Sequence, residues 1–79
     1  MPVAYVLITT EVGVEEEVKE KLLQEPEVIS ADVVFGVYDI VAKIKGETIE
    51  DIRKVVTQKI RNKIDKITST QTLIVVSEE

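Results

Sequence analysis

Chemistry in this chain has few places to reside. The sequence has no Cys and no His, so it lacks a thiol nucleophile, the commonest metal ligand and the usual general base. What remains is Gly36-Val37-Tyr38-Asp39, a tight acidic turn, and the alternating hydroxyls Thr68, Thr70 and Thr72. The turn has two readings. In one, Gly36 takes a positive φ and Asp39 caps turn amides, a purely local role. In the other, exposed backbone amides meet a carboxylate while Asp39 meets an ammonium, the two groups that define a free amino acid. Threonines on a strand likewise serve either β-propensity and cross-strand pairing or a hydroxyl row for a ligand. Their alternation sends Thr68, Thr70 and Thr72 to one sheet face beside Ile74 and Val76, with Ser69 and Gln71 on the other. The runs Glu15-Glu16-Glu17 and Glu78-Glu79 are sequential acids without convergent geometry, which suits solvated surface better than a hard cation. No metal, cofactor or catalytic residue is expected, and an enzyme is disfavoured.

The elements that must position these residues follow from punctuation at Pro2, Gly13, Pro26, Gly36 and Gly46. Val3-Ala4-Tyr5-Val6-Leu7-Ile8 is a β-former run of strand length. Val14, Val18 and Leu22 recur at helical spacing, three glutamates fill the first turn, and Pro26 stops the helix, predicted over 14–25. Residues 28–35 read as a second strand with Ile29, Ala31, Val33 and Phe35 on one face. A connection of about four residues leads to a third strand over 39–45, giving a hairpin. Thr48 with Asp51 forms a capping-box pattern before an apolar stripe of Ile49, Ile52, Val56, Ile60 and Ile64. Residues 67–76 make the last strand.

The order β-α-β-β-α-β predicts an α+β, ferredoxin-like fold: a four-stranded antiparallel sheet with two helices on one face. The first and last strands are apolar on both sides, whereas a sheet with one wet face should alternate. The chain is therefore expected to dimerise through its uncovered face, as in a dimeric αβ barrel. Hiding a patch of about 700 Å² contributes on the order of 15 kcal/mol gross per subunit, much of it offset by association entropy and side-chain ordering.

Composition narrows the class. At 79 residues the chain has room for a single domain over 1–79. Its 10 Lys and Arg against 15 Asp and Glu, net −5, argue against coating a phosphate backbone. No apolar run reaches the roughly 18 residues of a membrane span and no secretory leader is evident, so a soluble, cytoplasmic protein is expected. High Glu, Lys, Val and Ile with little Asn or Met suits a thermophile.

Ala4-Tyr5-Val6-Leu7-Ile8-Thr9-Thr10, Pro26-Glu27-Val28, Gly36-Val37-Tyr38-Asp39-Ile40 and Ser69-Thr70-Gln71-Thr72-Leu73-Ile74-Val75, in that order, resemble the ligand-binding (RAM) domain of the Lrp/AsnC transcriptional regulators. The resemblance implies a domain that dimerises sheet to sheet, with dimers joining into an octamer or similar ring. It also implies an amino-acid effector bound where dimers meet. By match, Gly36, Val37, Tyr38 and Asp39 would form the hairpin side of the pocket, with Thr70 and Thr72 on the last strand. The sequence resembles a stand-alone version without the family's helix-turn-helix, so no direct DNA binding is expected and full-length regulators are candidate partners. One departure is local: no Gly follows Ile64, where many members turn into the last strand. Three alternatives stay open: an ACT-type regulatory domain using Gly13, a structural partner subunit with no small ligand, and a small αβ-barrel enzyme.

Overall fold

The computed structural model describes residues 1–76. Its elements are β1 (Val3–Thr10), α1 (Glu15–Leu23), β2 (Val28–Val33), β3 (Ile40–Lys45), α2 (Ile49–Lys54), a π-helical segment (Val55–Arg61) and β4 (Ile67–Ile74). The antiparallel sheet runs β2-β3-β1-β4. The expected βαββαβ order is therefore present, with β1 between β3 and β4.

Strand parity builds the core. Ala4, Val6 and Ile8 of β1 and Ile40, Ala42 and Ile44 of β3 are fully buried against Val18 and Leu22 of α1 and Ile52 and Ile60 of the second helix. Cross-strand partners share a face. The pairs Val6–Ala42, Val6–Thr72 and Ile8–Thr70 thus lie on the helix side, and Tyr5–Lys43, Tyr5–Leu73 and Leu7–Gln71 lie on the open side. The open face carries Tyr5, Leu7, Val41 and Leu73 at its centre. Lys43, Gln71 and Asp32 rim it, and the Lys43 ammonium sits 5.8 Å from the Tyr5 ring centroid. The apolar patch is contiguous but more bordered by polar groups than strand composition alone suggested.

The helix ends obey the expected chemistry. Thr48 Oγ1 accepts the Asp51 N–H at 3.1 Å and Asp51 Oδ2 accepts the Thr48 N–H at 3.2 Å, a complete capping box. The apolar stripe begins one turn later than expected, because Ile49 is half exposed and Ile52 takes the first core position. From Val55 the backbone widens into i→i+5 pairing, a change that helical spacing does not announce. Two carboxylates anchor this helix to the α1–β2 connection: Glu27 meets Lys59 at 2.7 Å and buried Glu25 meets Lys63 at 2.9 Å.

Two corrections concern β2. A bulge between Val28 and Ser30 makes Ile29 the extra residue. Val28 therefore fills the core place expected for Ile29, which stays exposed. The strand ends at Val33, so 34–39 connects to β3 and Phe35 projects into solvent rather than completing a strand face. The turn into β4 resolves the missing glycine: Lys66 itself takes a positive φ of 74°. Glu78 and Glu79 lie outside the described residues.

Candidate functional site

Residues 34–39 form an exposed projection at one end of the sheet, beyond the last β1–β3 rung, Ile8–Ile40. Gly36 has φ +152° with open space where a Cβ would stand, so backbone conformation, not crowding, calls for glycine there. Val34, Phe35 and Val37 are all exposed apolar side chains on this projection.

The stem is pinned. Asp39 N–H donates to the Ile8 carbonyl at 2.9 Å, and Val34 N–H donates to the Asp39 carbonyl at 2.8 Å. The Asp39 carboxylate accepts the Thr10 N–H through Oδ2 at 2.8 Å. Beyond Ile8–Ile40 no β3 residue pairs with Thr10, and the aspartate supplies the acceptor instead. Asp39 is therefore an amide acceptor, though for the strand amide of Thr10 rather than for the amides of its own turn, and its half-buried side chain keeps a second carboxylate oxygen. Tyr38 lies across the open side of the sheet, where its hydroxyl donates to Gln71 Oε1 at 3.2 Å.

The hydroxyls divide differently from the expected row. Thr70 and Thr72 pair with Ile8 and Val6 and are half-buried on the helix side, the opposite face from the Tyr38–Gln71 contact. The register jumps from Thr9–Ser69 to Thr10–Ile67, leaving Thr68 as the extra residue of a bulge. Thr68 is thereby turned away from the face of Thr70 and Thr72. Its hydroxyl bonds Thr9 Oγ1 at 2.7 Å, and Ser69 bonds the same oxygen at 2.5 Å. The structure thus brings Gly36, Val37, Tyr38 and Asp39 together with Thr10 and Gln71, and does not bring Thr70 and Thr72 into that group. Strand alternation set Gln71 on the face opposite Thr70 and Thr72, and the register with Leu7 makes that face the open one. The role of the Thr10 amide carries no side-chain signal and was not legible in the sequence.

A larger cleft of about 500 Å³ lies at the other end of β3, lined by residues that include Lys45, Gly46, Asp51 and Lys59. Among the described residues, no three His, Cys, Asp or Glu side chains converge as for a metal ion. No helix of the described residues is long and apolar enough to cross a membrane.

The family model of the Lrp/AsnC ligand binding domain matches residues 3–79. The chain belongs to this family. Among solved structures, a hypothetical protein from Pyrococcus horikoshii, PHS023, is 44% identical, with 99% of this chain and 93% of that chain covered and a TM-score of 0.89. AsnC of E. coli is 29% identical with a TM-score of 0.90 over 98% of this chain and 52% of its own length. This chain therefore spans about half of that regulator. A transcriptional regulator of Neisseria meningitidis, NMB0573, solved as an L-Met complex, shares the fold at 15% identity and a TM-score of 0.85, covering 98% and 51%. No curated protein sequence matches the chain. Membership of the Lrp/AsnC family makes this a regulatory, effector-binding type of domain, and it displaces the ACT-type alternative.

Proposed function

We propose that this Lrp/AsnC domain is an oligomeric amino-acid sensor. Two copies pack their open sheet faces together, dimers join through the exposed hairpin projections, and a free amino acid binds beside the hairpin. Asp39 offers its second carboxylate oxygen to the ligand ammonium, and the exposed backbone of Gly36 and Val37 offers amides to the carboxylate. Tyr38 closes the site over Gln71. Thr70 and Thr72, on the helix side, contribute only if a neighbouring subunit carries the ligand around the β4 edge. The supporting observation is the pinned Asp39, held in place by Thr10 with one oxygen to spare, at the base of a projection of exposed Val34, Phe35 and Val37. Contiguous exposed apolar surface of this kind marks contact sites. Full-length Lrp/AsnC regulators are the candidate partners.

A thermal-shift screen of the twenty amino acids at millimolar concentration tests the reading. A ligand at a hundred times its Kd stabilises by about 2.7 kcal/mol, several degrees for a domain this small. If no amino acid moves the midpoint, the sensing role is wrong.

A further inference from the structure

Arg61 differs from several cations near it that are paired with carboxylates. Arg53 meets Glu50 at 3.5 Å, Lys59 meets Glu27 at 2.7 Å, Lys63 meets Glu25 at 2.9 Å and Lys66 meets Glu17 at 3.6 Å. Among the described residues Arg61 has no carboxylate in ion-pair reach. It instead lines a cleft of about 300 Å³ with Thr57, Asn62, Ile67, Thr68 and Ser69. That lining presents a guanidinium, an amide and several hydroxyls, and no carboxylate.

Two backbone irregularities build the cleft. On one wall the π-helical segment ends with the Asn62 N–H donating to the Thr57 carbonyl at 3.2 Å, an i→i+5 bond that sets Thr57 and Asn62 on one wide turn beside Arg61. Turns of this kind are rare and recur at functional sites. On the other wall Thr68 is the bulged residue of β4, and bulges re-aim side chains next to sites. Thr9, Thr68 and Ser69 share the two bonds at Thr9 Oγ1. Each hydroxyl carries one O–H donor, so one donor of the trio remains for an outside acceptor. Arg presents its N–H groups as a rigid fork suited to planar or tetrahedral oxyanions.

We infer that this cleft is a binding site for a small oxyanion, a carboxylate or a phosphate, held by Arg61 with donors from the Asn62 amide and the one spare hydroxyl of the Thr9, Thr68 and Ser69 group. The site is independent of the hairpin reading, since it shares no residue with Gly36 to Asp39.

The test is a ¹H–¹⁵N NMR titration of the full chain with inorganic phosphate, and separately with acetate, at fixed ionic strength held by chloride. The expected result is saturable shifts at the amides of Asn62, Thr68 and Ser69 and at the Arg61 Nε–H. Arg61→Gln should weaken the apparent affinity about tenfold or more, as loss of a charge-assisted fork does. Ser69→Ala should weaken it less, and Lys54→Gln should leave it unchanged. Whichever anion saturates at the lower concentration names the ligand class. Shifts that rise linearly without saturating, that survive Arg61→Gln, or that fall equally in Lys54→Gln overturn the site.

Discussion

The carboxylate of Asp39 holds the backbone N–H of Thr10 at 2.8 Å, so the hairpin that carries the candidate ligand groups is tied to the end of the central strand. A loop side chain thereby completes the edge pairing that β3 leaves unfinished. Asp39→Ala leaves that part-buried amide without its acceptor and should destabilise the domain by about 1–3 kcal/mol. Asp39→Asn keeps an acceptor and should cost less, while losing the charge offered to an ammonium. Urea denaturation of both variants, paired with the amino-acid screen, separates the two roles. Equal stability of Asp39→Ala and wild type would contradict the structural one.

Lys66 holds a left-handed conformation, φ 74°, where a side chain costs roughly 1–2 kcal/mol. Lys66→Gly should therefore be more stable than Lys66→Ala by about 1 kcal/mol, the reverse of the order inside a helix. Comparing the two variants also cancels the exposed contact to Glu17 that both lose. Ala at or above Gly in chemical denaturation would show that the turn is not left-handed.

Stability should depend on acid through Glu27. Its hydrogen bond to Lys59 outweighs desolvation and holds its pKa below the ordinary carboxylate value, while the same bond raises that of Lys59. A depressed carboxylate stabilises the fold above its unfolded pKa, and this contribution fades as pH falls through the folded value. The raised Lys59 contributes below its unfolded pKa and loses that contribution as pH climbs through the folded one. Glu27→Gln should thus be less stable than wild type at pH 7 and converge with it as pH falls through the lowered folded value. A difference that persists unchanged into acid would point to packing rather than charge.

Assembly is tested on the open face. Leu73, beside Tyr5 on that face and 45% exposed, should tolerate Leu73→Lys in an isolated subunit. In a sheet-to-sheet dimer the buried charge should weaken association by about 2 kcal/mol or more. Sedimentation velocity should then show smaller particles with an unchanged circular dichroism spectrum. Phe35→Ser, at a fully exposed hairpin position, should leave dimers intact and remove larger assemblies. Identical sedimentation of wild type and both variants would remove the support for either interface.

Thr48 offers a local check. Its capping box is exposed and complete, so Thr48→Ala should lower stability by about 1 kcal/mol, measured by thermal unfolding.

The sequence by itself determined element order, the capping box and the family. Each of these depends on periodicity, on residues a few positions apart, or on motifs read in order. A strand's alternation is a local property, and burial selects one of its two phases. Tertiary structure decided whatever depends on register between distant segments. The bulge at Val28–Ser30 exchanged Ile29 for Val28 in the core, and the one near Thr68 split a threonine row that looked uniform. An inserted residue flips every later side chain to the other face, and nothing in the strand's own composition marks where that happens. The Asp39–Thr10 bond and the cleft beside Arg61 were hidden for the same reason: a backbone amide has no residue type, and a cation's surroundings are known only once the chain has closed around it.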